Sequence, residues 1–504
     1  MTAPAQAGSA GRAGEAKPVA LLDATTWMSR VYLDGWIPGS DGDHPVVEPA
    51  TGDELGRVGL ASPGDAGRAA ARAAEEQVAW ATAPYLERAA VLRRAGDLWA
   101  HHAEEVQEWI IREAGSIRPK AALETDFASR MCYEAAALAT RPYGDLLRTT
   151  EPRLSFSRRV PVGVVAVISP FNYPLVLAIR AVAPALALGN AVVLKPDPRT
   201  AVAGGVALAR VFEEAGLPPG VLGVLPGGAH VGQALVSDPA VQMVSFTGST
   251  AGGRAVATLA AQHMKRAQLE LGGNSAMIVL DDADVEKAAS LGSFGSYLHQ
   301  GQICMATSRH LVQRSMADDY VTALSEHANR LPVGNPAKED VALGPLIDEK
   351  QRDRVHSLVT TTVDAGASLA AGGTIEGLFY RPTVLADVPT DAPAYVEEIF
   401  GPVAPVVPFD SVDEAVKLAA DTPYGLSLGI VTRDVMRGLE IADRIPSGLV
   451  HINDQTVNDD VVNPFGGVKG SGPGSRIGGP DINLDAFTSV QWVTMRSQPP
   501  QYPF

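Results

Sequence analysis

The chain has 504 residues, 46% of them hydrophobic and 19% charged, which is typical of a globular protein large enough for two or three domains. Its formal net charge of −16 argues against nucleic acid or an anionic membrane as the main partner, but leaves room for an anionic ligand held by a few local cations. With only two cysteines, the sequence predicts a reducing, cytoplasmic location and no disulfide framework.

The N-terminal residues 1–20 are rich in alanine, glycine and polar side chains and lack the apolar core of a signal peptide. They predict a disordered extension. The longest apolar runs, such as residues 160–168, are too short to span a membrane, so no membrane partner is expected.

A helical region precedes a region of alternating strands and helices. Residues 62–142 carry Ala, Glu and Arg at helical spacing. The following pattern predicts strands over 160–168, 191–194, 221–225 and 243–246, and helices over 175–188, about 201–215 and after residue 228. Such alternation predicts βαβ units and a parallel sheet, which binds ligands at the carboxyl ends of its strands. Because Lys195, Gly228 and Gly248 each follow a predicted strand, we expect them to share one crevice.

A second α/β region begins near Leu271 and continues to about Gly470. It opens with a strand over 276–280 and a mostly helical segment over 285–301. Near the end of the chain, residues 489–494 predict an edge strand, which we expect to pair with another subunit.

Several familiar signatures are missing from the sequence. Neither Gly-x-Gly-x-x-Gly after a strand nor Gly-x-x-x-x-Gly-Lys-Ser/Thr occurs, and His-Glu-x-x-His is also missing. Two cysteines and scattered histidines do not make a zinc site, so metal catalysis is not expected.

Three residues suggest covalent chemistry. Cys304, in residues 301–304 (Gly-Gln-Ile-Cys), and Glu270, in residues 270–274 (Glu-Leu-Gly-Gly-Asn), fit a nucleophile and its base. Taken alone, a single cysteine is more often a small buried hydrophobe. Asn172 lies in the turn 169–174 (Ser-Pro-Phe-Asn-Tyr-Pro), where its amide could donate to an oxyanion or simply cap the turn.

Other motifs fit contacts to a dinucleotide, each with a plainer alternative. Lys195 could bind ribose or phosphate, or be a solvated strand end. Residues 246–250 (Phe-Thr-Gly-Ser-Thr) fit a pyrophosphate cradle or a helix cap. Residues 397–402 (Glu-Glu-Ile-Phe-Gly-Pro) offer a carboxylate and an aromatic ring, or an acidic pair before a packing Phe. Residues 463–467 (Asn-Pro-Phe-Gly-Gly) form a turn that could wall a pocket.

In this order and at these separations, the motifs resemble the aldehyde dehydrogenase superfamily over about residues 30–495. The resemblance implies an α/β fold with a Rossmann-type dinucleotide-binding domain, an α/β catalytic domain and a small β oligomerisation extension that supports a homodimer or homotetramer. The implied boundaries are 21–142 and 162–269 for the dinucleotide-binding domain, 270–484 for the catalytic domain, and 143–161 with 485–504 for the oligomerisation strands.

The resemblance also assigns roles to residues. Cys304 is the expected nucleophile, which forms a thiohemiacetal with an aldehyde and then, after hydride transfer, a thioester. The Asn172 amide and the Cys304 backbone N–H are expected to stabilise the oxyanion, and Glu270 to activate the hydrolytic water. The residues expected to bind the NAD cofactor are Ile168, Ser169, Lys195, Asp197, Gly228, Phe246, Gly248, Ser249, Leu271, Glu398 and Phe400.

One position departs from the family pattern. Many NAD-preferring members carry a Glu three residues after the Lys, whereas this chain has Pro198. Asp197 could replace that carboxylate at the adenosine ribose, or Arg199 could accept the 2′-phosphate of NADP. NAD is the favoured cofactor, and NADP remains the alternative.

The substrate class is inferred from three segments. Residues 195–200 (Lys-Pro-Asp-Pro-Arg-Thr) look like the variant seen in bacterial benzaldehyde and vanillin dehydrogenases, and residues 451–459 and 501–504 look closest to the benzaldehyde dehydrogenase branch, which implies an aromatic aldehyde. Tyr173, Leu177, Ile303, Met305 and Phe465 are candidates for the pocket lining, although each could equally be core. The alternatives are a broad, aliphatic or semialdehyde dehydrogenase, for which Arg180 is a candidate cation, and an inactive homologue that kept the fold.

Overall fold

The structure, a computed structural model, describes residues 20–504. The extension predicted over residues 1–20 therefore lies outside the described residues, apart from Ala20. Within residues 20–504, no helix is both long enough and apolar enough to cross a membrane.

Sixteen α-helices occur in the described part of the chain: α1 (Ala24–Trp27), α2 (Pro63–Thr82), α3 (Tyr85–His101), α4 (Ala103–Ala114), α5 (Arg118–Leu138), α6 (Pro174–Ala187), α7 (Ala207–Glu214), α8 (Ala229–Ser237), α9 (Thr250–Gln262), α10 (Val285–Tyr297), α11 (Arg314–Arg330), α12 (Glu349–Asp364), α13 (Pro393–Val396), α14 (Val412–Ala420), α15 (Val435–Ala442) and α16 (Pro480–Phe487).

The same residues form twenty strands: β1 (Arg30–Tyr32), β2 (Trp36–Pro38), β3 (Asp43–Val47), β4 (Glu54–Gly59), β5 (Leu154–Pro161), β6 (Val164–Ile168), β7 (Ala191–Lys195), β8 (Leu222–Val224), β9 (Val241–Gly248), β10 (Arg266–Leu271), β11 (Ser275–Val279), β12 (Thr307–Gln313), β13 (Ser368–Ala371), β14 (Ile375–Glu376), β15 (Phe379–Tyr380), β16 (Thr383–Ala386), β17 (Val403–Phe409), β18 (Ser427–Val431), β19 (Leu449–Ile452) and β20 (Thr488–Met495).

The first large sheet has the strand order β10-β9-β6-β7-β8-β1-β2. Strands β10, β9, β6, β7 and β8 run parallel, and the β1–β2 hairpin adds an antiparallel edge. Every residue of β6 and β7 is buried, as expected for parallel strands covered on both faces. The parallel sheet predicted from the alternating strands and helices is confirmed.

The continuous strand predicted over residues 160–168 is wrong. Strand β5 ends at Pro161, and Gly163 adopts a φ of +123° before β6 begins at Val164. That φ is open to glycine and strained for a residue with a Cβ, so the chain changes direction here. The β-branched run therefore contributes to two different sheets.

Two predicted helices also differ from the observed ones. The helix expected over about 201–215 begins as a 3₁₀ turn (Pro198–Thr200) and a π-helical turn (Val202–Val206) before α7. The helix expected over 285–301 ends at Tyr297, because His299 and Gln300 have φ values of +49° and +56°. This sharp turn leads directly into the segment that carries Cys304.

The second large sheet has the order β13-β16-β17-β12-β11-β18-β19, and only β13 runs antiparallel to its neighbour. One apolar core lies around residues such as Leu311 and Phe409, and a separate one around Met277 and Tyr320. The sheet is therefore covered by two distinct apolar clusters, which is consistent with a second α/β unit.

The strand predicted at 489–494 pairs within the chain. Strand β20 runs antiparallel to β5 from Thr488 opposite Pro161 to Met495 opposite Leu154. This pairing occupies one edge of β20 and leaves its other edge unpaired within residues 20–504, so pairing of that edge with another subunit stays a prediction. Residues Val490, Trp492 and Met495 remain exposed on the resulting ribbon.

Candidate active site

Cys304 lies where two cavities meet. The cavity named here the Glu398 cavity has a volume of about 330 Å³ and is lined by Glu270, Glu398 and Phe400 among others. The cavity named the Tyr173 cavity has a volume of about 240 Å³. Both cavities are lined by Cys304, Asn172, Leu177 and Phe465. A group bound to the Cys304 sulfur can therefore face a ligand in either cavity.

The surroundings of the Cys304 thiol favour its protonated form. Burial, together with the nearby carboxylates of Glu398, Glu270 and Asp459, raises its pKa to about 12 against the opposing effect of Arg180. Since the thiolate is the nucleophilic form, the thiol needs a proton acceptor in the cavity. Cys132 differs, because it is fully buried in α5 and lines neither cavity.

The Asn172 side chain also lies where the Glu398 and Tyr173 cavities meet. One of its Nδ2 hydrogens is used, because Nδ2 donates to the Gln302 carbonyl oxygen at 2.9 Å. The amide carries a second hydrogen, which leaves one donor for an oxygen atom next to Cys304. The bond to Gln302 also ties the turn after β6 to the segment before Cys304.

A buried ion pair between Lys120 and Glu124 holds the turn that contains Asn172. Lys120 Nζ donates to the Asn172 carbonyl oxygen at 2.7 Å and to Glu124 Oε1 at 2.5 Å. Glu124 Oε2 accepts the backbone N–H groups of Leu175 and Val176 at 3.1 and 3.2 Å, at the first turn of α6. The sequence analysis missed this pair, although charged residues at i and i+4 in α5 are a visible signal.

Glu270 is the last but one residue of β10 and is 5% exposed. Gln268 Nε2 donates to its Oε1 at 3.0 Å, and no described side chain or backbone group bonds to its Oε2. Burial raises the pKa of Glu270 well above its usual range, while Arg180 and Arg476 lower it. A raised pKa makes the carboxylate a stronger proton acceptor, which suits a general base.

A third depression, named here the Lys195 groove, has a volume of about 990 Å³ and is lined by Ile168, Lys195, Asp197, Gly228, Gly232 and Phe246 among others. The predicted crevice at the carboxyl ends of the strands contains Lys195 and Gly228, whereas Gly248 lies in the Glu398 cavity. Burial lowers the pKa of Lys195, whose Nζ donates only to the Pro196 carbonyl oxygen at 3.4 Å.

The remaining residues predicted to bind the cofactor are divided between these sites. Gly248, Ser249, Leu271, Glu398 and Phe400 line the Glu398 cavity. Ser169 follows β6 and is buried, but it is not among the residues that line the groove or this cavity. Burial raises the pKa of Glu398 to about 7, and its Oε1 accepts the Gly273 N–H at 3.2 Å.

Asp197 and Arg199 bind each other at one end of the groove. Arg199 Nη2 lies 2.8 Å from Asp197 Oδ2, and its Nη1 lies 2.6 Å from Asp348 Oδ2 at the N-cap of α12. Two carboxylates thus neutralise Arg199. The sequence analysis named the first two residues but gave no signal for Asp348, which lies 149 positions away from Arg199.

The Tyr173 cavity contains all five residues predicted to line a substrate pocket: Tyr173, Leu177, Ile303, Met305 and Phe465. Arg180 also lines it, and its guanidinium forms an ion pair with Asp459 and lies 4.8 Å above the Phe465 ring centre. Asp459 was missed as a site residue, because nothing in its local sequence predicts a contact with α6.

A model of the Aldehyde dehydrogenase family matches residues 36–493 of the chain. A vanillin dehydrogenase from Amycolatopsis sp. is 63% identical over 96% of this chain and 100% of its own length. Benzaldehyde dehydrogenase [NAD(+)] from Pseudomonas putida is 47% identical over 95% of this chain and 98% of its own.

Solved structures are also similar over nearly the whole chain. A salicylaldehyde dehydrogenase from Pseudomonas putida G7, complexed with salicylaldehyde, has a TM-score of 0.90 and 36% identity over 94% of this chain and 99% of its own. A betaine aldehyde dehydrogenase from Staphylococcus aureus in complex with NAD⁺ has a TM-score of 0.91 and 30% identity over 96% of this chain and 98% of its own.

Proposed function

Since the chain belongs to the aldehyde dehydrogenase family, we propose that it oxidises an aromatic aldehyde to the carboxylic acid, with NAD as the hydride acceptor. The observation that carries this proposal is the position of Cys304 between the Glu398 cavity and the Tyr173 cavity. A thiol there can bond to an aldehyde carbon in one cavity while a hydride acceptor occupies the other.

Residues of the Lys195 groove and of the adjoining Glu398 cavity fit a dinucleotide. Lys195 has a buried ammonium with a single long bond to the protein, so it can still donate to ribose hydroxyls. Ser249 caps the 13-residue helix α9, whose N-terminal N–H groups favour a pyrophosphate. Position 248 requires glycine, because an added Cβ would lie 2.8 Å from Phe246 Cζ and would clash with that ring. When bound, the dinucleotide supplies the hydride acceptor.

Each reaction step uses a group of this chain. The Cys304 thiol loses its proton to a water molecule in the cavity, Sγ attacks the aldehyde carbon, and Asn172 Nδ2 donates its free hydrogen to the oxygen that becomes negative. After oxidation the acyl group remains on sulfur as a thioester. Glu270 then takes a proton from water, the resulting hydroxide adds to the acyl carbon, and the C–S bond breaks to release the acid and the Cys304 thiolate.

The walls of the Tyr173 cavity support an aromatic substrate. Leu177, Ile303, Met305 and Phe465 present apolar surface, and Phe127 adds a further ring. Leu123 and Phe294 also line the cavity and are 40% and 51% exposed, so they mark its open end. A flat ring can enter there and leave its aldehyde carbon next to Cys304.

A semialdehyde substrate is the weaker alternative. Its distal carboxylate would require a cation with free charge, and the candidate, Arg180, is already paired with Asp459. The carboxylate would also replace apolar contacts with an unpaired charge in a largely apolar cavity. These observations favour an uncharged aromatic ring.

The Asp197–Arg199 pair supports NAD over NADP. A 2′-phosphate would have to compete with Asp197 and Asp348 for the Arg199 guanidinium. It would also approach two carboxylates at close range, which costs electrostatic energy. Asp197 is the residue that takes the place of the usual acidic side chain at the adenosine ribose in this proposal.

A panel of aldehydes with both cofactors tests this function directly. We expect kcat/KM for benzaldehyde and vanillin to exceed that for succinic semialdehyde and hexanal by about tenfold or more, and NAD to exceed NADP by a similar factor. Higher kcat/KM with succinic semialdehyde would contradict the aromatic assignment. No turnover of any aldehyde would contradict the function as a whole.

The proposal also includes the assembly and the location of the protein. The exposed apolar side chains of the β5–β20 ribbon support association of identical subunits, because such patches are usually covered by a partner. A cytoplasmic location is supported by the two free cysteines, since Cys304 must stay reduced to act as a nucleophile.

A further inference from the structure

Gln268 is a buried amide next to the carboxyl group of Glu270. Both residues lie on β10, two positions apart, so their side chains leave the same face of the strand. Gln268 is 3% exposed and lines neither the Glu398 cavity nor the Tyr173 cavity. It therefore touches Glu270 without reaching the substrate.

The orientation of the Gln268 amide is fixed from both ends. Ser245 Oγ, on the neighbouring strand β9, donates to Gln268 Oε1 at 2.5 Å. Gln268 Nε2 donates to Glu270 Oε1 at 3.0 Å. An ionised carboxylate only accepts hydrogen bonds, so the amide nitrogen must face Glu270 and the amide oxygen must face Ser245.

The two oxygen atoms of Glu270 are therefore not equivalent. Oε1 is bonded to Gln268 and is packed near Gly466, where an added Cβ would lie 2.9 Å from it. Oε2 is buried and has no hydrogen-bond partner within residues 20–504. Glu270 lines the Glu398 cavity, and Oε2 is the one of its two oxygens whose accepting capacity no protein donor has taken, so it is the oxygen open to a hydrogen bond from water.

Charged groups approach Glu270 from several elements. Arg180 on α6 and Arg476 before α16 favour the ionised carboxylate, whereas Asp459 after β19 disfavours it. The Cys304 thiol and the Glu398 carboxyl are also close enough to interact in the same cavity. The Gln268 amide acts in the same direction as the two arginines, since a donor stabilises the charged acceptor.

We propose that Gln268 is a positioning residue that holds Glu270 Oε1, so that Oε2 stays free to take the proton from the hydrolytic water. This inference rests on the proposed function, in which Glu270 is the base for thioester hydrolysis. Ser245 contributes to the same positioning, because its hydrogen bond to Oε1 prevents the Gln268 amide from rotating.

The substitution Gln268→Met tests the inference, since Met keeps the length of the side chain and removes the amide donor. Loss of a donor to the ionised form raises the pKa of Glu270. Because the base acts only when ionised, we expect turnover to be lost at the low end of the pH range and to recover as pH rises. A rise of one pKa unit moves the midpoint of the kcat–pH profile up by about one pH unit and lowers kcat about tenfold below that midpoint.

Two other readouts distinguish positioning from packing. The pre-steady-state burst of NADH and the KM for the aldehyde should stay within about twofold of wild type, because Gln268 touches neither substrate nor sulfur. Ser245→Ala should shift the kcat–pH profile in the same direction by a smaller amount. Gln107→Met is a matched control, because Gln107 Nε2 also donates to a side chain, Thr125 Oγ1 at 2.8 Å, and neither residue lines any of the three cavities.

The outcomes separate this inference from the function on which it rests. An active Gln268→Met variant with the wild-type kcat–pH profile would overturn the inference and leave the proposed function intact. Equal loss of burst and turnover at every pH would also overturn it, since that pattern indicates general disruption. A wild-type protein without aldehyde oxidation would overturn both. If Gln268→Met does not fold, the same measurements on Ser245→Ala decide the question.

Discussion

At the scale of single residues, the environment of each group decides its proposed role. Cys304 and Cys132 share a side chain, and burial raises the pKa of each to about 12. Only Cys304 borders cavities that can hold an aldehyde and a proton acceptor. Burial therefore does not by itself separate a nucleophile from a packing residue. Access to reacting partners does.

Replacing the proposed nucleophile tests its role. We expect Cys304→Ala to form no NADH from any aldehyde, because no other thiol faces either cavity. Binding of NAD should persist and can be followed by isothermal titration calorimetry. Cys132→Ala is the matched control and should retain wild-type kcat. Retained turnover in Cys304→Ala would rule out the thioester pathway.

Replacing the proposed base tests a different step. We expect Glu270→Gln to form the acyl-enzyme and then hydrolyse it slowly, so that a burst of NADH is followed by a steady state about 100-fold or more slower than wild type. Stopped-flow absorbance of NADH checks both phases. A steady-state rate equal to that of wild type would contradict the assignment of Glu270 as the base.

At the scale of secondary structure elements, helix α5 supports the turn that carries Asn172. The Lys120–Glu124 pair is almost completely buried, with side chains 1% and 0% exposed. Lys120 bonds to the Asn172 carbonyl, and Glu124 accepts two N–H groups in the first turn of α6. Burial lowers the pKa of Lys120, and Glu124 opposes that change. The pair thus orders two elements that meet at the site.

Removing one member of this pair should destabilise the protein. We expect Lys120→Met to lower the free energy of unfolding by about 3–5 kcal/mol, because the Glu124 charge is left buried without its partner. Urea denaturation followed by circular dichroism measures this loss. The double variant Lys120→Met/Glu124→Leu should recover only part of it, since the N–H groups of Leu175 and Val176 then lose their acceptor.

An unchanged free energy of unfolding in Lys120→Met would show that the pair does not hold the turn. A double variant less stable than the single one would indicate that the Glu124 bonds to α6 dominate over the unpaired charge. The exposed pair Arg444–Asp413 offers a control, because its loss should cost no more than about 1 kcal/mol.

At the scale of the whole molecule, the site is assembled from both large sheets. Asn172 follows a strand of the first sheet and Glu270 lies near the end of another, whereas Cys304 and Glu398 precede strands of the second. The bond from Asn172 to Gln302 joins the two parts across 130 residues of sequence. The β5–β20 ribbon lies outside both sheets and presents apolar side chains to solvent.

From the exposed apolar side chains of the β5–β20 ribbon, we expect identical subunits to associate through this surface. We expect Trp492→Asp combined with Val490→Asp to reduce the oligomer to monomer, because charge in an apolar interface lacks a partner. Light scattering coupled to size-exclusion chromatography gives the mass. Met264→Asp is the control, since Met264 is an exposed apolar residue elsewhere on the surface. Wild-type protein that elutes as a monomer, or a double variant of unchanged mass, would contradict this expectation.

The sequence by itself determined the family, the parallel sheet and the aldehyde chemistry, and the comparisons confirm all three. These properties depend on local patterns: short motifs that contain a Cys, a Glu and an Asn, separated by alternating strands and helices. The roles assigned to individual residues remain predictions, and so do the domain boundaries. The resemblance to benzaldehyde and vanillin dehydrogenases was also visible in short segments, two of which, 195–200 and 451–459, contribute residues to the Lys195 groove and the Tyr173 cavity.

Only the tertiary structure decided which distant groups surround these residues. Arg180 is paired with Asp459 across 279 positions and Arg199 with Asp348 across 149, and no local pattern encodes either contact. The break at Gly163 and the turn at His299 were missed because both depend on positive φ values, which β-branched and helical patterns do not reveal. Hydrogen bonds and charges act over a few ångströms, so the partners of a buried group depend on how the chain packs.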